Sequence, residues 1–203
     1  PSVGVWWFEI LAPYLRDKGR YIAALHAGAH NPAAGRAEHE VVEGLIAKAP
    51  ALYGKVAIAH SPGLAETLRP ESVDLLLTFS NLHNWIVDGN VEEHIREFHT
   101  VLKPGGVLGV VDHRGRSDLS QAAQLKSGYL REDEVVALIE KVGFKLMARG
   151  EMAANPRDTR DYPEGVWTLP PSLRMKEVDR EKYLAIGESD KFTLKFVRIA
   201  APR

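Results

Sequence analysis

An almost unbroken apolar segment, VDLLLTFS at residues 73–80, constrains the fold of this chain more than any other feature. Continuous rather than alternating hydrophobicity is typical of a parallel strand that is covered on both faces. The polar sequence NLHNW follows it directly. The segment therefore predicts a buried parallel strand whose carboxyl end leads into a polar loop.

Helix-like and strand-like segments alternate along the rest of the chain. Helices are predicted at 5–15, 36–47, 90–102 and 131–142, and strands at 21–25, 55–60, 73–80, 107–113, 144–151 and 192–199. This alternation indicates a doubly wound, mostly parallel α/β sheet in one domain, 1–203, with a Pro-, Asp- and Arg-rich excursion at 151–190. No helix separates the last two strands, so an antiparallel pair is expected at one edge.

Composition excludes several classes of function. A formal net charge of -1 leaves no basic footprint for nucleic acid and no polybasic membrane patch. The absence of cysteine excludes disulfides, thiolate metal sites and cysteine nucleophiles. No apolar run reaches the roughly 18 residues of a membrane helix. We expect a cytoplasmic protein by default, and a periplasmic one stays open because the native N-terminus is not seen. Its oligomeric state is not predicted.

Ligands of such a sheet bind outside the carboxyl ends of its strands, which here are the loops after Leu25, His60, Phe79 and Val111. His26, His30 and His39 are the alternative candidates for a metal site. The glycine and proline between the first two oppose a helix that presents both on one face, and HEVVE at 39–43 lacks the second histidine of a zinc motif. No metal site is predicted.

Three ordered segments, VDLLLTFSNLHNW, VLKPGGVLGVVDH and YLREDEVVALIEKVGFKL, carry a family resemblance. Together they resemble class I S-adenosylmethionine-dependent methyltransferases, which have a Rossmann-like fold. The finer pattern GVVDHR, NPRD and ESDKFTLKF is similar to a bacterial branch of that family. The resemblance implies S-adenosylmethionine as cofactor and methyl transfer to O, N or C of a small-molecule acceptor.

The opening PSVGVWWFEILAPYL matches the end of the family's first motif, whose preceding strand is then expected upstream of Pro1. A glycine there lets the backbone approach the methionine part of the cofactor. His26 stands where the family commonly has an acidic residue for the ribose hydroxyls. The residues predicted to bind the cofactor are Ser2, Val3, Gly4, His26, Ser61 and Ser80.

The polar residues after two strands are the candidates for catalysis. Asn81 and His83 follow the fourth strand of the family fold, where an amide holds the acceptor and an imidazole takes its proton. His113 follows the fifth. Consecutive strand residues point to opposite faces, so Asp112 and His113 are not expected to face one pocket together, and His113 is preferred. The alternative is that these groups cap strand ends.

Two other functions stay open at this stage. The first is a non-catalytic binding module on the same fold, suggested by the single glycine at Gly4 and the missing acidic residue at His26. The second is a nicotinamide-dependent dehydrogenase, although no G-x-G-x-x-G follows a strand. In the excursion, Asp158 and Asp161 are expected to pair with arginines at the surface, and a lid over the active site is the alternative.

Overall fold

The computed structural model describes residues 3–26 and 32–199, with side chains at 5–25 and 36–199. The chain packs as two compact units that divide after Ser72. The first unit holds the region of the predicted first motif. The second holds the strands after which the catalytic candidates lie.

The first unit is a pair of parallel strands with helices. Its elements are α1 (Val3–Leu15), β1 (Ile22–His26), α2 (Pro32–Lys48), α3 (Pro50–Tyr53), β2 (Ala57–Ser61) and α4 (Leu64–Thr67). β1 and β2 pair in parallel, with Ala24 opposite Ala59. Phe8 from α1 is buried and stacks on Tyr53 at 4.9 Å between ring centres, which joins α1 to α3. Apolar residues of α1, α2 and β1 thus form one core.

The second unit is a four-stranded sheet with helices. Its elements are β3 (Val73–Phe79), α5 (Leu82–Val87), α6 (Val91–Val101), β4 (Leu102–His113), α7 (Gln121–Ser127), α8 (Glu132–Glu140), β5 (Phe144–Gly150), a 3-10 helix (Gly165–Thr168), α9 (Arg180–Ile186) and β6 (Lys191–Arg198). None of the described helices of the chain is both long and apolar enough to cross a membrane.

The strand order in this sheet is β3-β4-β6-β5. β3 and β4 are parallel, and β6 runs antiparallel to both β4 and β5. The predicted antiparallel pair of the last two strands is therefore confirmed, and so is the Rossmann-like, mostly parallel α/β fold. β3 and β4 consequently end at the same edge of the sheet, and the register pairs Phe79 with Val111 there.

Burial of β3 is less complete than its sequence predicts. Leu75 and Leu77 are 53% and 40% exposed, whereas Thr78 is buried. In the described part of the chain β3 pairs with β4 alone, so it is an edge strand of its sheet. The prediction that both faces of β3 are buried is therefore wrong for Leu75 and Leu77. An apolar sequence shows that a strand is suited to burial, but it does not show which elements pack against the strand.

The 3-10 helix approaches the end of α7 closely. Gly165 has φ +55°, and a Cβ on it would lie 2.0 Å from the carbonyl oxygen of Ser127. Gly128, with φ +72°, would place a Cβ 2.8 Å from Val166. Both glycines are thus required for the excursion to dock on α7.

Replacing Gly165 by alanine should lower the free energy of unfolding by about 3 kcal/mol, because the new methyl group meets backbone in a left-handed conformation. Urea unfolding followed by circular dichroism measures the loss. Gly44→Ala is the matched control: a Cβ there meets nothing within 4 Å in α2, and helix propensity predicts a gain of up to about 1 kcal/mol. Equal effects of the two substitutions would contradict the close approach.

Candidate active site

The candidate site lies where β3 and β4 end and α5 begins. Ser80 turns the chain from β3 into α5 with φ +53°, and its N–H donates to the carbonyl of Val111 at 2.8 Å. A non-glycine residue in the left-handed region is held there by its surroundings. This turn brings the start of α5 beside the last residues of β4.

Asp112, the penultimate residue of β4, is completely buried and joins these elements. Its Oδ2 accepts from the N–H of Leu82 at 2.9 Å, and its Oδ1 accepts from the N–H of His113 at 2.8 Å. Oδ1 also lies 2.9 Å from Nδ1 of His83. Asn81 makes no side-chain cap at the start of α5, so Asp112 satisfies that helix end from the neighbouring strand.

Asp112 is ionised in spite of its burial. Desolvation raises the pKa of the carboxyl group, but the attraction and hydrogen bond of His83, together with His113, outweigh it and hold the pKa below its usual value. An ionised carboxylate only accepts hydrogen bonds, so the Nδ1 of His83 must carry the proton of the shared bond. In the neutral ring the lone pair then lies on Nε2.

His113 approaches His83 from the end of β4. The two ring centres are 5.0 Å apart at an angle of 61°. Nδ1 of His113 lies 2.6 Å from Oγ of Ser189. Burial lowers the pKa of His113 to about 3, more than the nearby carboxylate of Asp112 raises it. His113 is therefore neutral at physiological pH.

The depressed pKa of His113 predicts a specific pH dependence of stability. Between pH 6.5 and about 3 the unfolded chain binds a proton at His113 that the folded chain does not, so the free energy of unfolding falls as the pH falls. We expect His113 to contribute a loss of about 2.7 kcal/mol between about pH 7.5 and about pH 4.5. Urea titrations at both pH values measure it, and His113→Gln should remove that part of the slope. An unchanged pH dependence of the free energy of unfolding in His113→Gln would contradict the depressed pKa of His113.

The Nε2 atoms of both histidines are open to ligands. Neither has a hydrogen-bond partner among the described residues. Neither belongs to the buried, unpaired polar atoms of that part of the chain. His83 as a whole is only 5% exposed, so little of the residue other than Nε2 can contact solvent. The site thus offers two imidazole nitrogens held in place from behind.

The excursion supplies two neighbours of these histidines. Trp167, in the 3-10 helix, has its ring centre 6.0 Å from that of His83. Ser189, two residues before β6, contacts His113. The antiparallel register pairs His113 with Lys191, which is why residues just before β6 lie beside the end of β4.

Two buried carboxylates hold the excursion. Asp158 accepts from the hydroxyl of Tyr129 at 2.9 Å and from the N–H of Asp190 at 2.7 Å. Asp190 accepts from Arg160 Nη2 at 2.6 Å and from the N–H of Asn155 at 2.9 Å. Burial, and then the charge of Asp158, raises the pKa of Tyr129, which stays a neutral donor. The expected surface pairing is therefore wrong for Asp158, because buried backbone N–H groups need its oxygens.

One cluster among the described residues has the composition of a metal site. Ligand atoms of His83, Asp112 and His113 lie within 4.8 Å of one another. Both oxygens of Asp112 already accept hydrogen bonds from backbone N–H groups. The carboxylate is therefore better suited to orienting His83 than to binding an ion directly. Among the earlier metal candidates, His39 pairs with Glu43 at 3.4 Å, and His30 lies outside the described residues.

The predicted catalytic residues are only partly brought together. His83 and His113 are neighbours, whereas Asn81 is exposed and its Nδ2 donates to Oγ1 of Thr78 at 3.2 Å. Asp112 and His113 both contact His83, but Asp112 is completely buried and accepts from backbone N–H groups, so of these two residues only His113 offers an open nitrogen. Trp85 stacks on His94 of α6 at 4.0 Å and packs in the interior.

The predicted cofactor residues lie in both units. In the first, Ser61 ends β2 and is buried, and His26 ends β1, where only its backbone is described. Val3 and Gly4 begin α1, again described by backbone alone. Ser2 lies outside the described residues. Ser80 directly follows β3 in the second unit.

Comparison with known proteins fits this architecture. Residues 19–110 match the family model described as a methyltransferase domain. A SAM-dependent methyltransferase from Aquifex aeolicus has a similar structure, with a TM-score of 0.54 and 16% identity over 97% of this chain and 78% of that one. No curated protein sequence matches the chain.

Two further similar structures show how widely this fold is used. An arsenic(III) S-adenosylmethionine methyltransferase from Chlamydomonas reinhardtii has a TM-score of 0.55 and 15% identity over 95% of this chain and 59% of that one. The [4+2]-cyclase SpnF has a TM-score of 0.51 and 15% identity over 76% and 61%. The chain therefore spans about three fifths of these two proteins.

The family match and the fold agree with each other. The match of residues 19–110 to the methyltransferase-domain model and the shared fold support the class I S-adenosylmethionine-dependent methyltransferase family that the ordered sequence motifs predicted. The [4+2]-cyclase has a similar fold but is named for a different reaction. The reaction of this chain therefore has to be argued from its own residues.

Proposed function

We propose that this protein transfers the methyl group of S-adenosylmethionine to a small-molecule acceptor, and that His83 takes the acceptor's proton. The observation that carries the proposal is the buried hydrogen bond between Asp112 and His83. A carboxylate behind an imidazole fixes its tautomer and stabilises the cation that forms when the ring is protonated.

The cofactor supplies an electrophilic methyl group on a sulfonium, and its transfer breaks the carbon–sulfur bond, leaves that electron pair on sulfur and forms S-adenosylhomocysteine. The acceptor must lose a proton as it gains the methyl group. Nε2 of His83 receives that proton, and the imidazolium is stabilised by Asp112 through Nδ1. His113, neutral beside it, adds no competing positive charge.

Orientation of the acceptor is the second contribution of this site. Holding reactants in the productive geometry is worth roughly 7–11 kcal/mol, more than a single base supplies. His83 is fixed by Asp112, His113 by Ser189, and Trp167 adds a rigid aromatic wall near His83. Asn81, exposed at the start of α5, is proposed to hold the acceptor by its amide.

The residues that the family resemblance assigns to the cofactor offer polar groups and no cation in either unit. They are the hydroxyls of Ser61 and Ser80, the imidazole of His26 and the backbone of Ser2, Val3 and Gly4, and none is a lysine or arginine. A dinucleotide site instead surrounds its phosphates with a glycine-rich helix start and often with cations. Hydroxyl, imidazole and backbone groups are of the chemical kinds that bind ribose hydroxyls and the methionine part of S-adenosylmethionine.

Calorimetric titration of the full chain with S-adenosylmethionine tests cofactor use. We expect a single site that S-adenosylhomocysteine also occupies, and binding that weakens at least about tenfold when Ser80 is replaced by a bulky leucine. Asp74→Asn is the matched control, at an 81% exposed side chain of β3, the strand that Ser80 follows. The absence of heat at millimolar cofactor would refute the proposal. Binding without turnover of any acceptor would indicate a non-catalytic module.

A further inference from the structure

The hydrogen bond between Ser189 and His113 fixes which nitrogen of that ring carries its proton. Ser189 is 4% exposed, and its Oγ makes no hydrogen bond other than the one to Nδ1 of His113 among the described residues. If the hydroxyl proton pointed elsewhere, a buried donor would be left without an acceptor, which costs about 1–3 kcal/mol. Oγ–H therefore donates to Nδ1, and the neutral ring of His113 carries its proton on Nε2.

His83 has the opposite arrangement. Its Nδ1 donates to the ionised Asp112, so its Nε2 has a lone pair. The two open Nε2 atoms are thus unlike: His83 accepts a hydrogen bond and His113 donates one. Both rings are anchored at Nδ1, and their centres are 5.0 Å apart.

A pair of unlike nitrogens opposes a two-histidine metal site at this position. An ion bound by both rings needs a lone pair on each Nε2, and Ser189 gives His113 an N–H there instead. The pair is suited to a ligand that offers a proton to one ring and an oxygen to the other. Since the ring centres are so close, those two groups lie near each other in the ligand.

We infer that the acceptor carries a hydroxyl, or another N–H or S–H group, with a second oxygen on the adjacent carbon, and that Ser189 is the positioning residue that sets this preference. The proton-bearing group faces Nε2 of His83, and the neighbouring oxygen accepts from Nε2–H of His113. This inference rests on the proposed function, because His83 must face the atom that is methylated.

Nitrogen-15 NMR of the full chain tests the tautomers without requiring turnover. Long-range proton–nitrogen spectra of the labelled protein, assigned with His83→Gln and His113→Gln, should show a protonated Nε2 on His113 and a protonated Nδ1 on His83. Ser189→Ala should give a mixture of tautomers for His113, and Ser189→Thr, which keeps the hydroxyl, should restore one. A protonated Nδ1 on His113 in the parent protein would overturn the inference and favour a metal site.

Binding of two isomeric probes tests the acceptor class. We expect 2-methoxyphenol, with its oxygens on adjacent carbons, to bind about tenfold more tightly than 4-methoxyphenol, as one additional hydrogen bond allows. The titration follows the His83 and His113 nitrogen shifts with S-adenosylhomocysteine present, and Ser189→Ala should reduce the ratio to near one. Equal affinities in the parent protein would refute the acceptor class. A failed methyl transfer would leave these shifts and affinities unaffected, so the two proposals fail separately.

Discussion

Replacing His83 by alanine is expected to lower kcat/KM for methyl transfer by about 10²–10⁴-fold, the usual contribution of a positioned general base. The variant should bind S-adenosylmethionine as the parent does, because His83 is proposed to face the acceptor and not the cofactor. Initial rates of S-adenosylhomocysteine formation, with calorimetry of cofactor binding, measure both quantities. Added imidazole should restore part of the rate, since it supplies the missing base.

His39→Gln is the control for this experiment. His39 is a half-buried histidine of α2 in the first unit, paired with Glu43 at 3.4 Å, and its replacement should leave kcat/KM within about twofold. A His83→Ala variant as active as the His39 control would show that His83 is a structural residue of α5.

Replacing Asp112 by alanine is expected to lower the free energy of unfolding by about 3–5 kcal/mol, which is the cost of breaking a buried charged network from one side. Three donors would lose their acceptor: Nδ1 of His83 and the N–H groups of Leu82 and His113. Urea unfolding at neutral pH measures the change. Asp112→Asn keeps one acceptor oxygen and should lower the free energy of unfolding by a smaller amount. It can therefore be measured even if the alanine variant does not fold.

Asp74→Ala is the comparison for the stability measurement. Asp74 pairs with Lys103 at the surface, and its loss should cost less than about 1 kcal/mol. A cost at Asp112 as small as that at Asp74 would contradict the buried network. Because the pKa of Asp112 is depressed in the folded protein, its contribution should be present above about pH 4 and be lost as the pH falls further.

Local pattern was sufficient to predict most of the sheet. The apolar runs at β3 and β4 are long, so β3 was predicted to within one residue and the end of β4 correctly, whereas β4 begins five residues before its predicted start at residue 107. The antiparallel pairing of β6 with β5 was predicted correctly, but the expectation that no helix separates these strands was wrong, because a 3-10 helix and α9 lie between them. The short helices α3, α4, α5, α7 and α9 were not predicted, because four to seven residues carry too little periodicity to identify.

The candidate site was predicted less completely than the fold. His83 and His113 were recognisable because each follows a buried strand at the edge where ligands bind. His113 was preferred to Asp112 because strand side chains alternate between faces, and the bonds of Asp112 to the start of α5 are long-range contacts that no local pattern contains. Trp167 and Ser189 reach the site only through the docking of the excursion and the register of β6, which are long-range contacts that no local pattern contains.

The most direct test of methyl transfer at His83 uses S-adenosylmethionine with a trideuterated methyl group. The full chain is incubated with this cofactor and a pool of phenols, amines and thiols, and the products are analysed by mass spectrometry. We expect the intact labelled methyl group on one acceptor class, S-adenosylhomocysteine in equal amount, and the loss of both in His83→Ala. Cofactor that binds but stays intact with every acceptor, or labelled product formed equally well by His83→Ala, would contradict the proposed function.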